Sequence, residues 1–278
     1  MVQRKRKDCP ILGCHKTNLL RLPNHLADVH KLDSNERKLW LERVRVMNIN
    51  HIPSRDDLVP HQPLHRMDVR FKSPTSLIAY GSTSCGKTCW TEKLLRCVND
   101  MFDQPIHKIV YCYGEYQPRF LIMEREIPNI QFVEGFPDDI YSLFDKTPGL
   151  LVLDDLMNES VKKDSMVDLI TKGSHHRGIN CINLVQNLFP PGKYSRTISL
   201  NTHYIVAFKN PRDALGISTL AKQAFPGEVA RVMEAYEDST KQPYGYLLLD
   251  LHPTTANEFR LRTSIFPEEQ QVVYTKRT

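Results

Sequence analysis

An eight-residue segment at positions 81–88 has the residue types and spacing to bind the phosphates of a nucleotide. The segment consists of Gly81, Ser82, Thr83, Ser84, Cys85, Gly86, Lys87 and Thr88. It fits the pattern G-x-x-x-x-G-K-[ST], in which the glycines let backbone N–H groups curl around phosphate oxygens. Lys87 is placed to reach the β- and γ-phosphates, and the Thr88 hydroxyl to ligate Mg²⁺. A strand-like run before the segment and a helical pattern after it favour a nucleoside triphosphate site over a glycine-rich turn without a ligand.

Two consecutive acids end an apolar run at 149–153 and supply the second half of the predicted site. Asp154 is expected to hold Mg²⁺ through water. Asp155 is placed to orient or deprotonate the attacking water, as the catalytic base of a hydrolysis reaction. The alternative is a solvated acidic turn at the end of a strand.

The alternation of strand-like and helical segments along the chain predicts an α/β fold, with a mostly parallel sheet and helices on both of its faces. Strand-like runs alternate with helical patterns at 87–98, 160–172 and 212–224. The strand-like runs are 76–80, 108–113, 149–154, 179–186, 203–208 and 243–251. Because a full strand at 108–113 separates the phosphate loop from Asp154, we expect the RecA-like P-loop NTPase arrangement, with a further strand between the two active-site strands. Gln186, at the carboxyl tip of the run 179–186, would then be a sensor beside the γ-phosphate, or else form a simple loop hydrogen bond.

Cysteine and histidine residues near the amino terminus have the spacing C-x4-C-x10-H-x4-H. The ligands would be Cys9, Cys14, His25 and His30, and the pattern resembles a two-Cys two-His zinc finger. We expect Zn²⁺ to hold this unit together, since so short a segment needs a metal to fold. The middle spacer is shorter than the usual twelve residues, and a chance cluster is the alternative.

Composition and charge divide the chain into four predicted parts. They are a basic arm with the zinc-finger-like unit (1–33), a helix and Pro-rich linker (34–68), the P-loop ATPase domain (69–252) and a C-terminal tail (253–278). Residues 1–72 hold 15 Lys and Arg against 8 Asp and Glu, which gives this region a net charge of +7. Because the whole chain has a net charge of +5, residues 73–278 carry −2. A basic amino-terminal region indicates a polyanionic partner, either DNA or RNA. The alternative is a solvated tail without a partner. The chain has no apolar run long enough to span a membrane, and its seven scattered cysteines indicate an intracellular, reducing compartment.

Two segments, His-Arg-Gly-Ile-Asn at 176–180 and Leu-Val-Gln-Asn at 184–187, resemble the R-x-x-G-I-H and (A/T)-Q-R-P stretches of FtsK-like DNA pumps. The segment 200–213 is similar to the next stretch of those pumps. The likeness spans about residues 70–250 and is nearest to the FtsK/HerA-type packaging ATPases of Polinton/Maverick elements, adintoviruses and large DNA viruses. The chain departs from the pattern at Asn187, where Arg is usual, and at Asp155, where Glu is common.

This resemblance implies an ATP-dependent translocase that packages double-stranded DNA into a capsid and works as a homo-oligomeric ring in the nucleus or at a viral assembly site. Capsid proteins are possible partners. An Arg from one subunit would reach the neighbour's γ-phosphate, and Arg177 is the first candidate, ahead of Arg196 and Arg212. The candidates for binding the phosphates of the DNA backbone are Lys193, Arg196 and Lys209. The alternatives are a helicase or remodelling motor with the same core, a non-catalytic nucleotide-gated zinc-finger DNA-binding protein, and a nucleotide kinase.

Overall fold

The strands of the computed structural model form one sheet within residues 69–145, 147–173 and 177–276, the part of the chain that the structure describes. In chain order they are β1 (Ser76–Tyr80), β2 (Lys108–Tyr113), β3 (Ile130–Glu134), β4 (Gly149–Asp154), β5 (Ile179–Val185), β6 (Tyr204–Phe208), β7 (Tyr246–Asp250), β8 (Leu261–Thr263) and β9 (Val272–Val273).

Helices connect most of these strands. They are α1 (Lys87–Arg96), α2 (Val98–Met101), α3 (Arg119–Glu126), α4 (Met157–Ser160), α5 (Asp164–Asp168), α6 (Ser195–Leu200), α7 (Ala214–Ala224) and α8 (Val229–Ser239). A π-helical turn at Leu169–Gly173 continues α5, and 3-10 turns lie at Ser142–Phe144 and Asn257–Phe259.

The strand order is β3-β2-β4-β5-β1-β6-β7-β8-β9. The six strands from β3 to β6 in this order pair in parallel, and β7, β8 and β9 are antiparallel additions at one edge. The mostly parallel α/β sheet predicted from the sequence is therefore confirmed. The expected interposed strand is confirmed as well, because β5 pairs with β1 on one side and with β4 on the other.

Apolar side chains on both faces of the sheet are buried under helices. In β1, Leu77 and Ala79 belong to a cluster that includes Trp90 and Leu94 of α1. Ile78 and Tyr80 point to the opposite face, where the cluster draws on α7 and α8. A third cluster covers that same face of β4 with Met166 of α5 and with residues of the π-helical turn that follows it. Burial on both faces explains why the central strands are almost continuously apolar.

The predicted strands agree with the observed ones to within three residues, but several other elements differ from prediction. The edge strand β3 has no continuous apolar run and is half exposed, so it was not predicted, and neither were α3, α6 and α8. The helix predicted at 160–172 is broken after α4, because the Val161 carbonyl accepts a hydrogen bond of 3.0 Å from the Tyr194 N–H. The helix predicted from 212 begins at Ala214, because the Asp213 carboxylate caps it by accepting the Gly216 N–H at 2.8 Å.

The segment 253–278, predicted to be a tail, contributes β8 and β9 to the sheet. Arg262 of β8 forms a buried ion pair of 2.6 Å with Asp250 of β7 and donates to the Val69 carbonyl at 2.8 Å. Leu261 is completely buried. These contacts tie the end of the chain to the core, so the folded unit extends past the boundary predicted at residue 252.

The chain divides into two units, residues 66–277 and residues 1–65 with 278. The zinc-finger-like unit predicted on Cys9, Cys14, His25 and His30 lies outside the described residues, and so does the linker predicted up to residue 68. Within 69–145, 147–173 and 177–276, no helix is both long and apolar enough to cross a membrane.

Candidate active site

Three parallel strands place the predicted site residues at one edge of the sheet. The phosphate loop follows the carboxyl end of β1, the paired acids lie at the carboxyl end of β4, and Gln186 follows β5. Because β1, β4 and β5 pair in parallel, their carboxyl ends meet at the same edge. Ligands of open parallel sheets bind at this edge, so the topology brings the motifs together where the sequence could only suggest it.

The phosphate loop folds tightly against the end of β6 and needs its two glycines. A Cβ atom on Gly81 would lie 2.6 Å from Cys85 Sγ and 2.8 Å from Phe208 Cβ, which leaves no room for a side chain. Gly86 has φ +109°, a conformation that side-chain-bearing residues rarely adopt. The loop therefore holds a backbone shape that other residues at these two positions would distort.

Lys87 is anchored on the loop that it follows. Its Nζ atom donates to the Gly81 carbonyl at 2.8 Å and to the Ser82 carbonyl at 3.0 Å, and its side chain is buried. An ammonium group has three N–H donors, so two are used to fix its position and the third is left for an incoming oxygen. This arrangement suits the predicted contact with a phosphate group.

Asp154 is held from the neighbouring strand by Tyr111. The Tyr111 hydroxyl donates to Asp154 Oδ2 at 2.7 Å, and Asp154 is only 5% exposed. Burial raises the pKa of Asp154, while the hydrogen bond from Tyr111 acts to lower it. Tyr111 was not predicted as a site residue, because nothing in the run Lys-Ile-Val-Tyr-Cys-Tyr of β2 marks it as different from a core tyrosine.

Asp155 and Gln186 meet across the ends of β4 and β5. Gln186 Nε2 donates to Asp155 Oδ1 at 3.3 Å, and both residues are exposed at the sheet edge. Asp155 has φ +57°, a left-handed conformation that Asp tolerates better than most residues and that turns the chain away from the buried strand. An exposed carboxylate in contact with an amide is suited to hold a water molecule beside the pair, with the carboxylate as the acceptor of its proton.

A hydrogen-bonded network fixes the loop after β6 beside the phosphate loop. Ser82 Oγ donates to the Lys209 carbonyl at 3.4 Å. The Asn210 amide donates to the Tyr80 hydroxyl at 3.1 Å, and this hydroxyl donates to Asp213 Oδ2 at 2.7 Å. The Tyr236 hydroxyl receives the Asn210 backbone N–H at 3.0 Å. The loop is therefore rigidly attached to the end of β1, which no local sequence signal indicated.

Arg119, a residue that was not predicted as part of the site, lies near both halves of it. Its Nη1 atom is 3.4 Å from Cys89 Sγ, in the first turn of α1. The pKa of Asp154 is raised by burial, and the positive charge of Arg119 acts in the opposite direction. Arg119 begins α3, in the connection between β2 and β3.

Three arginines were predicted as candidates to reach the γ-phosphate bound by a neighbouring subunit, and they lie in separate parts of the fold. Arg177 comes just before β5, at the end of that strand opposite to Gln186, and its guanidinium lies 4.1 Å from the centre of the Tyr141 ring. Arg196 is exposed on α6, and Arg212 is exposed on the loop after β6, at the same edge as the phosphate loop. Arg177 is therefore distant from the site of its own chain, and its role on a neighbour stays a prediction.

The oxygen donors expected for Mg²⁺ both lie in this site. Thr88 supplies a hydroxyl and Asp154 a carboxylate, which are the donor types that Mg²⁺ prefers. Over the ranges that the structure describes, no group of three or more His, Cys, Asp or Glu side chains is arranged to hold a metal ion. The predicted zinc ligands are not among those residues.

No protein-family model matches the chain, and no curated protein matches it. Solved structures similar to it include the genome packaging NTPase B204 from Sulfolobus turreted icosahedral virus 2 in complex with ATP-gammaS. That match has 13% identity and a TM-score of 0.45, and covers 65% of this chain and 94% of that one. The complex of B204 with AMPPCP matches at 14% identity and a TM-score of 0.45, with the same coverage. Thermomonospora curvata EccC (ATPases 2 and 3), in complex with a signal sequence peptide, matches at 13% identity and a TM-score of 0.34 over 73% of this chain and 37% of that one.

Proposed function

We propose that this chain is a Mg²⁺-dependent ATPase that drives double-stranded DNA into a capsid. The observation that carries the ATPase assignment is the meeting of three separate motifs at one sheet edge. These motifs come from segments up to about 100 residues apart in the chain. They are the phosphate loop, the acids at the end of β4, and Gln186 after the interposed strand β5. Chance would not place all three together.

Each residue of the site has a distinct task in this proposal. The backbone N–H groups of residues 81–88 and the third Nζ hydrogen of Lys87 bind the phosphates. Asp155 accepts a proton from the attacking water, which Gln186 helps to orient. Thr88 and Asp154 would hold Mg²⁺, which neutralises charge on the β- and γ-phosphates when bound. The Tyr111 hydroxyl keeps the Asp154 carboxylate in one orientation.

The assignment to DNA translocation is supported by the resemblance of residues 176–213 to FtsK/HerA-type packaging ATPases and by the basic amino-terminal region. Such an enzyme would be a ring of identical subunits, in which an Arg of one subunit reaches the γ-phosphate bound by the next. We propose Arg177 for this role, with Arg212 as the candidate that lies at the same edge as the phosphate loop. Zn²⁺ on Cys9, Cys14, His25 and His30 would complete the amino-terminal unit.

DNA-stimulated ATP hydrolysis by the full chain tests the proposal. We expect duplex DNA to raise the rate in wild type, and Lys87→Ala to abolish hydrolysis with and without DNA. Lys222→Ala, which removes an exposed lysine of α7, is the matched control and should hydrolyse ATP like wild type. Equal hydrolysis by Lys87→Ala and wild type would show that the phosphate loop is not the site.

Strand displacement separates a duplex pump from a helicase. A pump moving on duplex DNA should remove a third strand bound in the major groove and leave a forked duplex paired. Unwinding of the fork would favour the helicase alternative. Absence of hydrolysis in the DNA-bound wild type would refute the motor and favour a non-catalytic nucleotide-gated protein.

A further inference from the structure

An exposed aromatic ring lies directly on the phosphate loop. A Cβ atom placed on Gly86 would be 3.1 Å from Cδ1 and 3.3 Å from Cβ of Tyr244, so the tyrosine packs against the backbone of the loop. Tyr244 is nevertheless 71% exposed, which makes it one of the most exposed large apolar side chains among the described residues. A ring that buries so little of its surface contributes little to the stability of the core and is accessible to a ligand at the phosphate loop.

The backbone of Tyr244 is held in an unfavourable conformation. Its φ angle is +63°, which is an outlier for a bulky residue. The turn between α8 and β7 that contains Tyr244 is tight, since a Cβ on Gly245 would lie 2.2 Å from the Ser239 carbonyl oxygen. The Gly245 N–H also donates to the Gln242 carbonyl at 3.1 Å. Strained residues that their surroundings maintain occur mainly at ligand sites.

The strand after the turn anchors it to the same part of the site. Tyr246, two residues on, pairs with Phe208 of β6, and Phe208 contacts Gly81 at the start of the phosphate loop. The rings of Phe208 and Tyr246 both pack against Trp90 of α1. Tyr244 therefore lies two residues before a strand that is packed on β6 and α1. It lies on the β6 and β7 side of the loop, away from the acids at the end of β4.

We propose that Tyr244 is the platform on which the base of the bound nucleoside triphosphate stacks. This inference rests on the nucleotide site proposed above and adds the group that recognises the base. The phosphates occupy the loop, and the acids lie on its β5 and β4 side, so the base has room on the opposite side, where Tyr244 presents its ring. Every base has an aromatic face, so stacking favours nucleotides over bare phosphates without selecting adenine over guanine.

Calorimetric binding of ATP, GTP and tripolyphosphate to the full chain tests the inference. Tyr244→Asn removes the ring but suits the left-handed backbone, and Tyr244→Phe keeps the ring. We expect Tyr244→Asn to bind ATP and GTP about 10-fold to 100-fold more weakly, and tripolyphosphate within about twofold of wild type. Tyr244→Phe should bind all three like wild type. Leu200→Ala is the control, because Leu200 is 70% exposed but precedes the amino end of β6, at the edge opposite to the phosphate loop.

Three other results would overturn the inference. ATP binding by Tyr244→Asn at wild-type affinity would show that the ring does not touch the base. A parallel loss of ATP and tripolyphosphate would show that Tyr244 only shapes the phosphate loop. If wild type binds neither ATP nor tripolyphosphate, the nucleotide site itself is refuted. Lys87→Ala separates the two proposals, because it should lose tripolyphosphate as well as ATP whatever Tyr244 does.

Discussion

The Tyr111 hydroxyl donates a 2.7 Å hydrogen bond to Asp154 Oδ2 from the adjacent strand, and both side chains are buried. Asp154 Cα is in register with Tyr113, so Tyr111 lies two residues back on the same face of β2. A buried carboxylate that keeps one oxygen bonded to a fixed donor has its other oxygen aimed in one direction. This pairing fixes the orientation of the Asp154 carboxylate at the end of β4, as the proposed role in Mg²⁺ binding requires.

Removing the hydroxyl with Tyr111→Phe should weaken the binding of Mg²⁺ by Asp154 without changing the fold. Burial already raises the pKa of Asp154, and loss of the hydrogen bond should raise this pKa further. A higher pKa means that the carboxylate is protonated at a higher pH, so the acid limb of the pH profile of kcat should move to higher pH. We also expect the Mg²⁺ concentration for half-maximal hydrolysis to rise by about 10-fold. A titration of Mg²⁺ at several pH values measures both effects.

Tyr204→Phe is the matched control for this experiment. Tyr204 is equally buried, and its hydroxyl accepts the Lys72 N–H at 3.0 Å, at the amino end of β6. It should lose about 1 kcal/mol of unfolding free energy without any change in Mg²⁺ dependence. If Tyr111→Phe behaves in the same way, Tyr111 is a structural residue only.

The pair formed by Asp155 and Gln186 should control the chemical step and not the binding of nucleotide. Asp155→Asn keeps the size and left-handed backbone of the residue but cannot accept the proton, so kcat should fall by about 100-fold or more. Gln186→Ala should lower kcat by a smaller factor, because the base remains. The affinity for ATP should stay within about twofold in both variants. Single-turnover hydrolysis and equilibrium binding separate the two quantities.

Asp145→Asn provides a control for the backbone conformation of Asp155. Asp145 is also exposed and also has a positive φ, of +46°, but it precedes β4 at the opposite edge of the sheet. Its hydrolysis rate should match wild type. Weaker ATP binding by Asp155→Asn, with kcat unchanged, would be contrary to the assigned role.

The buried ion pair between Asp250 and Arg262 should be essential for stability. Burial raises the pKa of Asp250 and lowers that of Arg262, so each charge depends on the other. Removing one partner, with Asp250→Ala or Arg262→Ala, should cost about 3–5 kcal/mol of unfolding free energy in urea. The double variant Asp250→Leu/Arg262→Met should cost less than either single one. Arg125→Ala, which removes an exposed ion pair with Glu126, should change stability by less than about 0.5 kcal/mol.

The sequence was most informative where the chemistry is local. The phosphate loop, the acids at the end of β4 and the strands that carry them were found because glycine spacing and apolar runs are properties of short segments. The strand β5 was expected between β1 and β4, and the strand order agrees. Prediction failed for β3 and for the strand β8 around Arg262, because neither has a continuous apolar run and both depend on pairing with a distant partner.

The sequence by itself determined which groups can bind phosphate and which acids follow a buried strand, because those properties depend on neighbours along the chain. Only the tertiary structure decided that Tyr111 holds Asp154, that Gln186 meets Asp155 and that Tyr244 lies on Gly86. These contacts join residues that are distant in sequence. They depend on strand order, register and the shape of one tight turn, and none of these is encoded in a local pattern.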